Sequence, residues 1–276
     1  MRKVILFSPN GYIGGFIKER MQEERNIQLY EIVRDSDLEK YEENYDVMVY
    51  SAAITSGRRE TAEKYVQDNV VAALTMMGFC RKHHVKRVIY LSSDEIYGEL
   101  NTDVVTEKAV MVNPNLYAAT KYLAEKIIME SGMPYYILRL PGVVGKIWGR
   151  TFIYNLMDRL RSNERIELYN MDRKFNNIVE IDDLTAFIVA LCQGRETEKN
   201  EIFLLGNMQT VELWSLVSYM RSLYDSSSIV HNVKTEKKRY FTLDISKAVR
   251  YGYSSKGIRT IIDELYQIQE RQLYYE

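Results

Sequence analysis

Four apolar residues in a row, Val4-Ile5-Leu6-Phe7, run straight into Ser8-Pro9-Asn10-Gly11. A stretch with apolar residues at helical spacing follows, Ile13, Phe16, Ile17 and Met21, with Arg20 interrupting the stripe. An apolar run without polar alternation is what a strand buried on both faces requires, and burial on both faces requires helices on both sides of the sheet. The pattern recurs. Gln28 to Val33, Asp46 to Tyr50, Arg87 to Leu91 and Tyr135 to Leu140 read as further strands. Arg59 to His83 reads as a long helix with Val66, Val70, Ala73, Leu74 and Met77 on one face, and Leu116 to Ser131 as another. Such alternation predicts an α/β fold with a doubly wound parallel sheet and right-handed crossovers. The second half is shorter in period and mixed. Thr151 to Leu160 and Val211 to Tyr224 look helical, and Glu201 to Leu205 and Tyr240 to Leu243 look like strands. This predicts a small C-terminal α/β cap that binds substrate. The expected division is 1–165 for the sheet domain and 166–276 mainly for the cap, with some segments returning to the first domain.

Composition narrows the function classes. A chain of 276 residues is long enough to cover a sheet on both faces. Its 37 basic residues against 38 acidic ones argue against a nucleic-acid partner. No apolar run approaches the ~20 residues needed to cross a bilayer, so no membrane association is expected. Met1-Arg2-Lys3 followed by Val4 to Phe7 looks like the start of a signal peptide, but the apolar stretch is short and ends in a turn. Cys80 and Cys192 each lie among apolar residues and read as buried free thiols in a reducing cytoplasm. His83 and His84 lie in a basic run without metal-ligand spacing, and no metal is expected.

The turn between the first strand and the first helix carries chemistry. In a Rossmann-type fold it brings a pyrophosphate to a helix N-terminus. Here it reads Ser8-x-x-Gly11-x-x-Gly14. Gly11 lets the backbone approach the phosphates, and Gly14 lets the helix pack closely on the strand. Ser8 stands where a dinucleotide-binding turn of this type has its first glycine, and Asn10 is the residue able to accept a left-handed conformation. The cofactor is NAD or NADP. After the second strand stands Val33-Arg34-Asp35, and Arg34 can pair with a 2′-phosphate, which leans toward NADP.

Three further segments carry a resemblance. They are Arg87-Val88-Ile89-Tyr90-Leu91-Ser92-Ser93-Asp94-Glu95-Ile96-Tyr97-Gly98, Tyr117-Ala118-Ala119-Thr120-Lys121, and Leu138-Arg139-Leu140-Pro141-Gly142-Val143-Val144-Gly145. In this order, behind a cofactor turn, the chain resembles the extended short-chain dehydrogenases/reductases, and within them the NAD-dependent epimerase/dehydratase family, which mostly acts on nucleotide sugars. Similarity continues through Glu180-Ile181-Asp182-Asp183-Leu184 and on to Gly257-Ile258. The resemblance implies a Rossmann-type sheet and hydride chemistry at C4 of a nucleotide sugar. Residues i and i+4 share one helix face, so Tyr117 and Lys121 point the same way. Tyr117 would exchange a proton with the sugar hydroxyl, Lys121 would hold the cofactor ribose and lower the Tyr117 pKa, and Ser93 would hydrogen-bond the reacting oxygen. Asp94 and Glu95 stand where the 4,6-dehydratases keep an acid and a base.

By the same resemblance, cofactor contacts fall to Ser8, Asn10, Gly11, Tyr12, Ile13, Gly14, Arg34, Ser51, Ala52, Ala53, Asn69, Tyr117, Lys121 and Pro141. Substrate contacts fall to Ser93, Asp94, Gly142, Arg173 and Asn176. Two departures bear on the sugar carrier. Gly142 stands where the family has an asparagine, and Asn176 aligns with a diphosphate-binding arginine, for which Arg173 is the available substitute. The family's homodimers pair through two helices, here Arg59 to His83 and Leu116 to Ser131. The alternatives are an NADPH-dependent ketoreductase of a 4-keto sugar nucleotide and a catalytically silent NAD(P)-binding sensor or scaffold.

Overall fold

The structure is a computed structural model that describes residues 1–33, 38–41, 44–53, 60–194, 200–235 and 241–274. Along the chain come β1 (Arg2–Phe7), α1 (Tyr12–Gln22), β2 (Ile27–Ile32), β3 (Val47–Tyr50), α2 (Ala62–Tyr65), a π-helical segment (Val66–Val71), α3 (Ala72–Lys82), β4 (Arg87–Ser93), a 3-10 turn (Asp94–Tyr97), β5 (Val104–Val105), α4 (Leu116–Glu130) and β6 (Tyr135–Leu140). They are followed by β7 (Gly142–Val144), α5 (Phe152–Arg161), β8 (Ile166–Tyr169), β9 (Lys174–Phe175), β10 (Ile178–Glu180), α6 (Ile181–Gln193), β11 (Glu201–Leu204), β12 (Val211–Glu212), α7 (Leu213–Leu223), β13 (Val230–Val233), β14 (Thr242–Leu243), α8 (Ser246–Arg250) and α9 (Ile258–Tyr274).

The chain divides into two units. The first holds Met1–Gly98, Asn113–Leu140 and Leu184–Phe203, and the second holds Glu99–Val112, Pro141–Asp183 and Leu204–Glu276.

The first unit is built on a six-stranded sheet in the order β11-β6-β4-β3-β1-β2. The pairings from β2 through β1, β3 and β4 to β6 are parallel. This is the doubly wound Rossmann-type sheet that the alternating pattern predicts, with every residue of β4 buried. Apolar side chains from β1, β3 and β4 pack against α3 and α4 in one core that includes Ile5, Phe7, Met48, Tyr50, Tyr90, Ala73, Met77 and Ile128. At roughly 25 cal/mol per Å² of apolar surface, this burial dominates what holds the unit together. Glu201–Leu204, from the second half of the chain, pairs beside β6 as the sixth strand of the main sheet.

In the second unit α5, α7 and α9 pack a separate core around Leu156, Leu160, Leu216, Val217, Ile261 and Leu265, joined by short two-stranded pairs. The helix expected over Val211 to Tyr224 begins at Leu213, because Val211 and Glu212 first pair with β9.

Candidate active site

Sheet register brings two groups of residues to one edge. Phe7 on β1 is level with Tyr50 on β3, and Tyr50 with Tyr90 on β4. Their rings form a row, 5.0 Å from Phe7 to Tyr50 and 5.2 Å from Tyr50 to Tyr90. β1 and β3 end there and β4 runs on to Ser93, so Ser8, Ser51 and Ser93 stand at the strands' carboxyl ends, where ligands bind in open α/β sheets.

At Ser8 the chain turns with φ +69°, the left-handed region. The residue that takes this conformation is therefore Ser8 itself, and Asn10 is not among the positive-φ residues. A side chain there costs roughly 1–2 kcal/mol relative to the right-handed helical region, which glycine avoids. Gly14 is required sterically. A Cβ on it would lie 2.0 Å from the Ser8 carbonyl oxygen and 3.0 Å from Ser51 Oγ. At Gly11 a Cβ would meet nothing closer than 3.6 Å, and its φ is −75°, so no steric demand for glycine exists within the chain. Gly11 is the N-cap of α1, and no side chain caps that helix. Its first amides lack intrahelical acceptors by construction and carry the positive end of the helix dipole. Ser51 Oγ donates to the Phe7 carbonyl at 2.8 Å, tying the end of β3 to the end of β1. Asn10, Tyr12 and Ile13 belong to this turn, and Ala52 and Ala53 follow Ser51. An uncapped helix start, with the turn packed so closely that only glycine fits at position 14, suits the pyrophosphate of a dinucleotide. Arg34 lies outside the described residues.

Beside this turn stands the second group. α4 starts at the N-cap Asn115, whose Oδ1 accepts from the Ala118 amide at 2.9 Å, so Tyr117 falls in the first turn and Lys121 one turn on. Tyr117 is nearly buried, and the hydroxyl of Ser93, the last residue of β4, is the neighbour that draws its pKa down. Ser93 Oγ accepts from the Glu95 amide at 3.2 Å, opening the 3-10 turn. Asn115 Nδ2 donates to Glu95 Oε2 at 3.0 Å, so one asparagine both caps α4 and holds a carboxylate. Lys121 is 1% exposed. Its Nζ donates to the Leu91 carbonyl at 2.5 Å and lies 4.2 Å from the centre of the Tyr90 ring. Asn69, in the π-helical segment, donates from Nδ2 to Thr120 Oγ1 at 3.0 Å, and Thr120 Oγ1 donates to the Tyr117 carbonyl at 2.8 Å. Asn69 thus steadies the helix backbone at Tyr117.

The protonation states differ from the expectation. Burial, and next the Glu95 carboxylate, push the Tyr117 phenol well above its ordinary 10.0; Asp94 and Tyr65 add to the rise and the Ser93 hydroxyl opposes it. Burial brings the Lys121 ammonium down from 10.5 to about 7, against the pull of Glu125. The chain alone therefore does not activate Tyr117 through Lys121, because burial weakens the cation while carboxylates surround the phenol.

Sequence reasoning missed Asn115, Thr120, and a buried pair behind the site, Glu125 and Arg139. The Arg139 side chain donates from Nε to Glu125 Oε1 at 3.1 Å and from Nη2 to Oε2 at 2.7 Å. The i+4 spacing from Lys121 to Glu125 was the one available signal for the first of these two.

The remaining candidates belong to the second unit. Pro141 is buried just ahead of β7, and Gly142 opens that strand. A Cβ on Gly142 would meet only Thr151, at 3.4 Å, and the Asn177 carbonyl, at 4.0 Å. Arg173 pairs with Asp103 at 3.1 Å. The buried Asn176 side chain is taken up by backbone: Nδ2 donates to the carbonyls of Asn207 at 3.3 Å and Leu243 at 3.0 Å, and Oδ1 accepts from the Leu243 amide at 2.9 Å.

Burial pushes the Cys80 thiol up to about 12 and that of Cys192 higher, as for inert interior thiols. Among the described residues no group of His, Cys, Asp and Glu could hold a metal ion, and no helix is long and apolar enough to cross a membrane.

Residues 14–206 match the NAD dependent epimerase/dehydratase family, and the chain belongs to it. Over 171 residues it is 25% identical to the dTDP-D-glucose 4,6-dehydratase of Dictyostelium discoideum, taking in 55% of this chain and 39% of that protein. Over 113 residues it is 30% identical to the UDP-glucose 4-epimerase of Caenorhabditis elegans, taking in 38% of this chain and 32% of that protein. The matched stretches thus span well under half the length of either relative. The solved structure of MoeE5 in complex with UDP-glucuronic acid and NAD has the same fold, with a TM-score of 0.79 at 20% identity over 98% of this chain and 99% of that chain.

Proposed function

We propose that this chain is an NAD-dependent enzyme that performs hydride chemistry at C4 of a nucleotide sugar. The observation that carries this reading is the placement of Ser93 at the end of β4 beside the buried Tyr117, with Lys121 one turn along the same helix and the Gly14 turn at the same sheet edge. Family membership and the named activities of the two curated relatives support it, as does a structural neighbour that holds both a UDP-sugar and NAD. Bound NAD supplies the hydride acceptor and, on its nicotinamide, a positive charge that offsets the carboxylates around Tyr117. Tyr117 takes the proton from the C4 hydroxyl, Ser93 orients that oxygen, and Lys121 holds the cofactor ribose. Gly142 and Arg173 are the proposed nucleotide-sugar contacts of the second unit, whereas the side chain expected to contact substrate at Asn176 is taken up by backbone. The lean toward NADP rests on Arg34 alone, and the cofactor in the neighbour is NAD, so NAD is the proposed partner.

Dehydration is the finer reading favoured by one observation. Glu95, held by Asn115, and Asp94 both raise the Tyr117 pKa, and an acid and a base near that phenol support the reading of an elimination across C5 and C6. We also infer a homodimer through α3 and α4, whose Leu74, Leu116 and Leu123 are exposed. The two buried free thiols suit a reducing cytoplasm.

The test is native mass spectrometry of the purified chain, followed by product analysis with UDP-glucose and dTDP-glucose. Retained NAD and conversion of either sugar is the expected result. A chain that binds neither NAD nor a nucleotide sugar overturns the proposal.

A further inference from the structure

The chemistry of Ser93, Tyr117 and Lys121 makes no use of the ion pair behind them. Arg139 and Glu125 are 2% and 0% exposed, and their contact is two-pronged. The third guanidinium nitrogen, Nη1, donates to the Tyr97 hydroxyl at 2.7 Å, and the guanidinium lies 5.3 Å from the centre of that buried ring. Withdrawing two charges from water is costly, and apolar side chains of the same volume often serve stability as well. What the pair holds is therefore more informative than what it stabilises.

It holds three elements together. Glu125 lies on α4 at i+8 from Tyr117 and i+4 from Lys121, on the same helix face. Arg139 lies on β6, level with Ser92 on β4, one residue before Ser93. Tyr97 closes the 3-10 turn that Asp94 and Glu95 open. That turn is thus tied to α4 at both ends, by Asn115 to Glu95 and through Arg139 to Tyr97.

We propose that Tyr97, Arg139 and Glu125 are positioning residues, a brace in which one guanidinium locks the Asp94–Tyr97 turn against the helix that carries Tyr117 and Lys121. A planar fork with fixed donor directions meets the carboxylate with two bonds and the phenol with a third, a geometry that the rotatable point charge of an ammonium does not preset. The brace rests on the function proposed above for its meaning in catalysis, though not for its mechanical effect.

The experiment uses the full chain with NAD added, as wild type, Tyr97→Phe and Arg139→Lys. Hydrogen exchange is followed by mass spectrometry, alongside the melting temperature, NAD affinity and turnover of a nucleotide sugar. Tyr97→Phe removes one hydroxyl and keeps the ring. Its expected effect is exchange about tenfold faster in residues 95–98 and at the start of α4, with the rest of the sheet unchanged and NAD affinity within about twofold. Its kcat falls about tenfold or more with KM little changed, because the acid-bearing turn loses its register with Tyr117. Arg139→Lys reproduces both effects. Unchanged exchange in residues 95–98, or a uniform rise across the unit with a matching loss of NAD affinity, overturns the brace. Local loosening in a wild-type background inactive on every nucleotide sugar upholds the brace and overturns the substrate reading.

Discussion

Replacing Lys121 by methionine should make the protein more stable at mildly acidic pH, and the gain should vanish as pH rises. Lys121 is buried, and its ammonium titrates near 7 in the fold against 10.5 for the free side chain. The fold therefore disfavours the charged form. Between those two values the unfolded chain binds more protons, so wild-type stability rises with pH through that window. At pH ~6 the ammonium persists in both states, and the gap corresponds to about 5 kcal/mol against folding at ~1.36 kcal/mol per tenfold change. At pH ~9.5 the same arithmetic leaves about 1 kcal/mol. Methionine matches the length of the buried stem and packs well on the Tyr90 ring. It leaves the Leu91 carbonyl without the Nζ donor, at a cost of about 1–3 kcal/mol. Lys121→Met should thus exceed wild type by about 2–4 kcal/mol at pH ~6 and fall level with it or slightly below at pH ~9.5. Urea unfolding of the cofactor-free proteins at both pH values measures this, since every other titrating group cancels between the two chains. A variant less stable than wild type at pH ~6, or a difference that does not move with pH, refutes the reasoning. Activity should be lost throughout.

Other substitutions test other parts of the account. Tyr117→Phe should reduce turnover by at least about a thousandfold with NAD affinity within about twofold in calorimetry, since it removes the proton-transfer hydroxyl and little volume. Ser8→Gly should raise stability by about 1 kcal/mol in urea unfolding by relieving the left-handed conformation, whereas Gly14→Ala should abolish NAD binding because its Cβ collides with the Ser8 carbonyl. If dehydration is the reaction, wild type incorporates solvent deuterium at C5 of the sugar and Glu95→Gln does not, while reduced cofactor accumulates on the variant; C5 exchange that survives in Glu95→Gln would assign that proton to another group.

The parts of the fold legible in the sequence were those fixed by local pattern. Val4 to Phe7 and Tyr135 to Leu140 have no polar alternation, and a strand so composed has few options but the centre of a covered sheet. Other parts depend on long-range partners. Glu201 to Leu204 has the composition of a strand, but nothing in those residues says which sheet it joins. Val66 to Val71 keeps a helical pattern through a π-helical segment, because hydrophobic spacing is blind to one extra residue per turn. At the site, Tyr117, Lys121 and Ser93 are named from the family resemblance, and i+4 spacing alone says only that the first two share a helix face. Asn115 is legible as an N-cap, but its second contact, to Glu95 twenty positions away, is not. The same holds for Arg139 and Glu125, whose burial only tertiary packing reveals. The raised pKa of Tyr117 in the cofactor-free chain was not legible either, because the sequence gives no measure of how deeply the phenol and the ammonium at i+4 are buried.

The claim that matters most is that hydride leaves and returns at C4 of a nucleotide sugar beside Tyr117. It is tested by incubating the NAD-loaded chain with UDP-glucose, and in parallel with dTDP-glucose, carrying deuterium at C4, then quenching within one turnover and weighing the released cofactor. Deuterium on the nicotinamide in wild type, and none in Tyr117→Phe, is the result predicted. Conversion of the sugar with all the deuterium still at C4 contradicts it.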